Sequence, residues 1–300
     1  MYLVLYNPLS AHGRGEQLTQ EIKEHLKGID YEMRDIRKVG SYAELFAGMG
    51  AEDRLVISGG DGTLNHFVNA IDGMDPPCEI YYYATGTGND FYADVAKEPG
   101  QIIRINDYIK NLPIVEVNGI RKRFLNGIGY GIDGYCCEVG DELAKKSNKP
   151  INYSSIAIKG LLFYYKRTNA KVTVDGKTYP FSKVWLAPAM KGRYYGGGLM
   201  IAPDQNRLDE DGYVTAAVLH RSGKLKTLMV FPSIFKGEHV KHKEMVWLMK
   251  GHRITVEFDR PTALQIDGET VLGVTTYSVT AGADANLTAS DEKRKEDVVC

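Results

Sequence analysis

The sequence predicts an N-terminal α/β domain, a parallel sheet with helices on both faces, followed by a C-terminal, mostly antiparallel β-sandwich domain. Three observations carry this. Strand-like runs alternate with helical patterns as far as Pro113, the signature of a parallel sheet covered on both sides. Beyond that point strand patterns dominate and helices become fewer. In this second part three hairpin-type dipeptides, Asn118-Gly119, Asp175-Gly176 and Asp267-Gly268, separate apolar alternations. The expected division is an α/β domain over 1–113, a β-rich domain over 114–285 and a charged tail over 286–300.

In chain order, "YLVLY" (2–6) reads as a buried strand and "GEQLTQEIKEHLKG" (15–28) as an amphipathic helix. Leu18, Ile22, His25 and Leu26 share one face of it, and Gly28 ends it. "YEMRDI" (31–36) is a second strand, and "YAELFAGM" (42–49) a short helix with Ser41 as N-cap. "RLVIS" (54–58), helical "LNHFVNAI" (64–71) and strand "EIYYYA" (79–84) follow. In the second part, strands fall at 171–175, 214–219, 253–258 and 276–281, and helices at 135–145, 152–165 and 224–236. The closing "SDEKRKEDVVC" has no core face and reads as a frayed tail.

Composition narrows the function classes. In 300 residues, 37 basic and 38 acidic side chains nearly cancel, and there is no basic stripe, so nucleic acid is a poor partner. The N-terminus starts directly on a strand and does not read as a secretory signal. Cys78, Cys136, Cys137 and Cys300 show no paired spacing, which suits reduced thiols in the cytoplasm. The apolar stretch "SIAIKGLLFYY" is interrupted by lysine and is too short to span a bilayer. A soluble protein is expected, with contact at a membrane surface left open.

Three glycine-rich loops each leave the carboxyl end of an expected strand: "NPLSAHGRG" (7–15), "SGGDGT" (58–63) and "ATGTGND" (84–90). Strand carboxyl ends form the ligand crevice of open α/β sheets. Glycines there bare backbone N–H groups that can cradle phosphate. One such loop is most often a plain turn; three on one edge favour a nucleotide. The candidate contacts are Asn7, Pro8, Ser10 and Gly13 in the first loop. The second offers Gly59, Gly60, Gly62, Thr63 and Asn65, and the third Gly86, Thr87, Asn89 and Asp90. No Walker A string occurs. The G-x-G-x-x-G at Gly129, Gly131 and Gly134 lies in the β-rich half and reads as a strand-to-helix junction rather than a dinucleotide fingerprint.

"NPLSAHGRG", "SGGDGTLNHFVNAI" and "TGTGNDF", in this order, closely resemble the diacylglycerol kinase catalytic-domain family, most of all its soluble bacterial lipid kinases. "FLNGIGYGIDG", "GGGLMIAPDQNRLDEDGY" and "QIDGE" extend the resemblance to about residue 282. The resemblance implies an ATP-binding α/β domain, a β-sandwich domain, an active site in the cleft between them, and Mg²⁺-dependent transfer of phosphate from ATP to a lipid hydroxyl. Diacylglycerol is the leading acceptor; sphingoid bases, phosphatidylglycerol and related lipids are alternatives. It also implies a lipid substrate met at the membrane surface by a cytoplasmic, peripherally attached protein, with a homodimer left open. Ala84, Ala11 and Glu116 depart from the family's usual proline, glycine and aspartate. The first two bear on nucleotide affinity and the third on a polar network near the domain junction.

An acid inside a phosphate loop is unfavourable unless a cation intervenes, so Asp61 is a candidate for contact with Mg²⁺; the alternative is a turn residue. Glu269, after the tight turn Asp267-Gly268, matches the position where the family's general base is expected. The resemblance also implies a structural Mg²⁺ on "PDQNRLDEDGY", held by the Asp211 carboxylate and the carbonyls of Leu208 and Tyr213. His239 and His242 have a spacing that can bind a metal, but a basic rim facing lipid, with Lys236, Lys241 and Lys243, suits them better. Two rival functions stand: an NAD kinase-like enzyme, which shares G-G-D-G-T, and a nucleotide-sensing regulatory protein without turnover.

Overall fold

The computed structural model describes residues 1–146 and 151–282. Cys300 and the tail expected over 286–300 lie outside the described residues. The chain divides into two compact units, Met1–Lys110 and a second that begins at Asn111.

The first unit is a five-stranded sheet in the order β2-β1-β3-β4-β5. Its strands are β1 (Tyr2–Tyr6), β2 (Tyr31–Asp35), β3 (Arg54–Gly59), β4 (Glu79–Ala84) and β5 (Ile103–Arg104). The first four are parallel, and β5 adds an antiparallel edge that the sequence pattern did not reveal. Leu3, Val4, Leu5, Leu55, Val56 and Ile57 are buried as unbroken runs, as expected of strands covered on both faces. The helix expected over 15–28 forms as two short pieces, Gly15–Thr19 and Ile22–His25. Its buried face is Thr19, Ile22 and Leu26; His25 is exposed, a correction to the expected stripe. Thr19 is drawn in by hydrogen bonds to the Gly15 carbonyl and the Ser58 hydroxyl. Ser41 caps Tyr42–Ala47 as expected, its Oγ accepting from the Glu44 N–H.

The strands of the second unit are β6 (Ile114–Val117), β7 (Ile120–Arg123), β8 (Gly127–Tyr130), β9 (Thr168–Val174), β10 (Lys177–Val184) and β11 (Ala189–Met190). They continue with β12 (Tyr194–Tyr195), β13 (Leu199–Met200), β14 (Val214–Leu219), β15 (Val246–Gly251), β16 (Arg253–Ile266) and β17 (Glu269–Thr280). All their pairings are antiparallel. β16 pairs with β9 along Ile254–Phe258 and with β8 along Leu264–Ile266. Its register with β17 breaks between these stretches, around Pro261, so one strand serves both layers of the sandwich. Val172, Phe124, Tyr130, Leu264 and Tyr277 fill the core between them. Each hairpin dipeptide makes its turn with both residues at positive φ, as at Asp267 (46°) and Gly268 (95°). Helices Ile132–Lys146, Tyr153–Lys159 and Lys224–Ile234 pack on the outer face around Trp185 and Leu219.

Candidate functional site

The central strands β1, β3 and β4 lie side by side and parallel, so their three glycine loops emerge together at one sheet edge. They are tied to one another. Asn7 Nδ2 donates to Thr63 Oγ1 at 2.8 Å, and the Ser10 and Thr85 hydroxyls stand 3.3 Å apart. The Thr85 N–H reaches the Gly59 carbonyl at 2.8 Å. Asp61 accepts from two backbone N–H groups of the third loop, Asp90 at 2.6 Å and Phe91 at 3.2 Å. That places it as a cap on the helix Asp90–Val95, a role the sequence reading did not contain.

The glycines divide into two kinds. A Cβ on Gly60 would stand 3.1 Å from the Gly86 Cα, so these two let the second and third loops touch. Gly62 faces open space, with nothing within 4 Å of an added Cβ. It sits in the first turn of the helix Asp61–Ala70, whose N-cap is Gly60 and which has no side-chain cap. An uncapped helix N-terminus with a bare glycine is a place where backbone donors meet an anion. In the first loop Ala11 (φ 49°), His12 (59°) and Gly13 (85°) are all left-handed, so Ala11 holds a conformation that suits the glycine it replaces.

Several expected contacts are therefore spent on architecture. Asn7, Ser10 and Thr63 bond other loops, and Asn65 is buried, its carbonyl accepting from Asn69. Gly59 is packed against the Thr63 side chain, and Asp90 is buried. Pro8 is half-buried. Thr87 is exposed, and Gly13 and Gly62 are unobstructed. Asn89 donates to the Gly86 carbonyl at 2.7 Å, but its buried Oδ1 has no donor. That orphaned acceptor suits a cation or a hydroxyl. The Asp61 carboxylate and the orphaned Asn89 Oδ1 are hard oxygen donors beside bare backbone N–H groups, so the residue types fit both a phosphate and a hard cation.

In the second unit, Glu269 opens β17, about half exposed, with Lys122 Nζ 2.7 Å from Oε2. The turn before it is anchored. The Asp267 carboxylate accepts from the N–H groups of Leu125, Asn126 and Gly127 at 2.5, 2.8 and 3.0 Å. Burial pushes its pKa up, and these donors and Arg207 pull it back. Gln265 Oε1 takes the Gly268 N–H at 2.6 Å. A further pair escaped the motif reading: the buried Tyr195 donates to Oδ2 of the half-buried Asp133 at 2.6 Å. Burial pushes the Asp133 pKa up to about 6, against the Tyr195 and Gly134 hydrogen bonds. The signal was in "GYGIDG", read only for its glycines. A Cβ on Gly129 would collide with Asp133 and Gln265, and one on Gly134 with the Ala263 carbonyl, so these glycines serve close packing.

In the 203–213 loop, Asp209 accepts from the Asp211 N–H at 3.0 Å, and the Tyr213 carbonyl accepts from Gln205 at 2.9 Å. Leu208 is exposed. Among the described residues no group of three or more His, Cys, Asp or Glu side chains is placed to hold a metal. The Asp211 set, one carboxylate and two carbonyls, is an oxygen set of a different kind, suited to Mg²⁺. His239 departs from the expected rim: it is fully buried, its Nε2 is 3.1 Å from the Ile201 carbonyl, and burial lowers its pKa. Glu116 is an exposed hairpin residue 3.4 Å from Arg121 rather than part of a polar network.

A mostly parallel α/β unit with three joined phosphate-type loops, followed by an antiparallel sandwich, defines a two-domain protein of the nucleotide-using kinase class. Residues 1–115 match the diacylglycerol kinase catalytic domain, and residues 126–286 match the YegS C-terminal NAD kinase beta sandwich-like domain. The chain belongs to the family that joins these two domains, a family of kinases that implies the use of ATP. It is 27% identical over 257 residues to a diacylglycerol kinase of Mycobacterium tuberculosis strain H37Rv, covering 80% of each chain. It is 23% identical over 277 residues to a diacylglycerol kinase of Bacillus subtilis strain 168, covering 89% of this chain and 88% of that one. A crystal structure of a diacylglycerol kinase from Bacillus anthracis strain Sterne superposes with a TM-score of 0.58 at 16% identity, covering 94% of both chains. The last likeness speaks to the fold.

Proposed function

We propose that this chain is an ATP- and Mg²⁺-dependent lipid kinase, with diacylglycerol as the leading acceptor. The first unit would hold ATP at its three loops, and the second would receive the lipid and present Glu269. Mg²⁺, when bound, supplies charge neutralisation at the phosphates, with Asp61 as its candidate holder; a structural Mg²⁺ would sit on Asp211, Leu208 and Tyr213.

The observation that favours a lipid lies in the second unit. A cavity of about 40 Å³, lined by residues such as Ile158, Leu161, Leu228, Phe231 and Met245, has almost no polar surface. Around it Phe163, Tyr164, Leu225 and Met229 are among the most exposed apolar side chains of the protein. Residues 151–167 and 221–237, which carry this face, contain three and four cations and no acid, in a chain with a net charge of −1. Apolar side chains ringed by cations suit an anionic bilayer surface, which supports peripheral attachment to a membrane. Among the described residues no helix is long and apolar enough to cross a membrane.

The chemistry asked of the chain is positioning and proton transfer. Glu269 takes the proton of the acceptor hydroxyl, held in place by Lys122 and by the turn anchored on Asp267. The test is phosphate transfer from labelled ATP to a panel of lipids in mixed micelles, with NAD as a competing acceptor. Labelled lipid that requires both ATP and Mg²⁺ is the expected result. Transfer to NAD alone, or ATP binding without any transfer, would overturn the reading.

A further inference from the structure

Two neighbouring, largely buried side chains at one end of the sandwich carry donors with no protein acceptor. Met190 pairs with Gly127 in the β11–β8 ladder, so Lys191 lies opposite Asn126, and the Lys191 N–H reaches the Asn126 carbonyl at 2.9 Å. Opposed residues of an antiparallel pair project to the same face. Each is only 3% exposed. The orientation of the Asn126 amide is fixed, because the Arg207 guanidinium donates to its Oδ1 at 2.6 Å and has no acceptor of its own. The Asn126 NH₂ therefore points away from Arg207. Neither this NH₂ nor the Lys191 ammonium has a protein hydrogen-bond or ion-pair partner among the described residues, and both polar ends still reach solvent, since neither is among the fully buried unpartnered atoms.

Nearby carboxylates are otherwise engaged. Asp267 accepts the three N–H groups of residues 125–127, and Asp209 takes the Asp211 N–H and lies 3.7 Å from Lys250. A lysine sunk into the fold with its ammonium reaching solvent and bound to no protein acceptor is a common mark of a binding position. Burial, with Arg207 close by, lowers the Lys191 pKa to about 8, which still leaves the side chain charged at neutral pH.

We propose that Lys191 and Asn126 together bind an anionic phosphate oxygen, one strand away from the Asp267-Gly268-Glu269 turn. Donor-only groups backed by a guanidinium exclude a cation and match the acceptor oxygens of a phosphate. The role of that phosphate rests on the kinase reading; the binding site does not. Two sources share this chemistry: the phosphoryl group in transfer, and a phosphate carried by the head group of the acceptor.

Inorganic phosphate is the probe, titrated into full-length protein carrying Gly62→Val to obstruct the helix N-terminus of the first unit. Binding is followed by phosphorus NMR line width and by melting temperature. Adding Lys191→Met should weaken phosphate by about 10–100-fold, the worth of a hydrogen bond to a charged group. Asn126→Asp keeps an acceptor for Arg207 but turns an oxygen towards the phosphate, so it should also abolish binding, and it serves if Lys191→Met does not fold. Unchanged affinity in either folded variant, or no phosphate binding to the Gly62→Val protein, overturns the proposal. In the transfer assay Lys191→Met alone separates the sources. A lower kcat with both KM values kept marks the transferred group, and a higher lipid KM limited to phosphate-bearing acceptors marks the head group. Phosphate binding that depends on Lys191 without any lipid phosphorylation would sink the kinase reading and leave the site standing.

Discussion

Lys122 Nζ stands 2.7 Å from Glu269 Oε2, with the lysine largely buried and the glutamate half exposed. The lysine is the fixed partner of this pair, so it sets the direction of a carboxylate that would otherwise sample several rotamers. Glu269→Gln keeps the shape and removes the basicity. Turnover should fall by about 10²–10⁴-fold, the usual contribution of a general base, while ATP affinity is kept. Lys122→Met should lower kcat less, through lost orientation of the carboxylate. A Glu269→Gln enzyme with near wild-type turnover in the lipid assay would remove Glu269 from the mechanism.

The second prediction separates phosphate binding from loop packing. Gly60→Val would abolish nucleotide binding, but it would also drive the second loop off Gly86, so its failure to bind says little. Gly62→Val puts its side chain into open space over the helix N-terminus. Its melting temperature should stay within a few degrees of wild type, and ATP affinity by calorimetry should fall at least about tenfold, or roughly 1.4 kcal/mol. Wild-type ATP affinity in the folded Gly62→Val protein would place the phosphates elsewhere.

Why the sequence foretold the loops but not their division of labour follows from what a residue type encodes. Strand-to-loop positions were legible because buried parallel strands are apolar runs that end at glycine, as at Ser58-Gly59-Gly60. The three hairpins were legible because Asn-Gly and Asp-Gly dictate positive φ locally. Whether a glycine serves a ligand or a neighbouring loop depends on what stands opposite it, and Gly86 is 26 residues from Gly60. The same limit hid Asp61 as a cap on the helix after Asn89, and Lys191 opposite Asn126. His25 and His239 were misread because helix period and a cluster of basic residues say nothing about which side chains the fold buries. The helix expected over 15–28 breaks after Thr19 and buries Thr19, Ile22 and Leu26 instead of the expected stripe, and the Ile201 carbonyl engages His239.

Asp61 now has two candidate duties, holding the helix Asp90–Val95 and holding Mg²⁺, and one variant can separate them. Asp61→Asn retains one acceptor and turns an NH₂ towards a backbone N–H. A stability loss of about 1–2 kcal/mol in urea unfolding without nucleotide is expected from the lost charge-assisted bond. If the carboxylate also holds the metal, turnover should drop further and recover in part as Mg²⁺ is raised or replaced by Mn²⁺. A turnover defect indifferent to metal would reduce Asp61 to its structural duty.

Asp133 offers a test that depends on pH. Its half-buried carboxyl accepts the Tyr195 hydroxyl, and desolvation lifts its folded pKa to about 6, above the ordinary 3.8. A carboxyl with a raised folded pKa destabilises the fold wherever it is ionised. The cost is fully present above pH 6, shrinks as the folded state takes up its proton below that, and vanishes below 3.8, where the unfolded chain is protonated too. Asp133→Asn removes the titration and keeps an acceptor for the Tyr195 hydroxyl. The variant should therefore be more stable than wild type at pH 8, by something on the order of 1–3 kcal/mol. Contributions from other titrating groups cancel in the comparison, because both proteins share them. The advantage should narrow through pH 6 to 4 and be nearly gone at the lower end, as read from urea unfolding at several pH values. A gap that stays constant across that range would mean that Asp133 does not change its protonation state there.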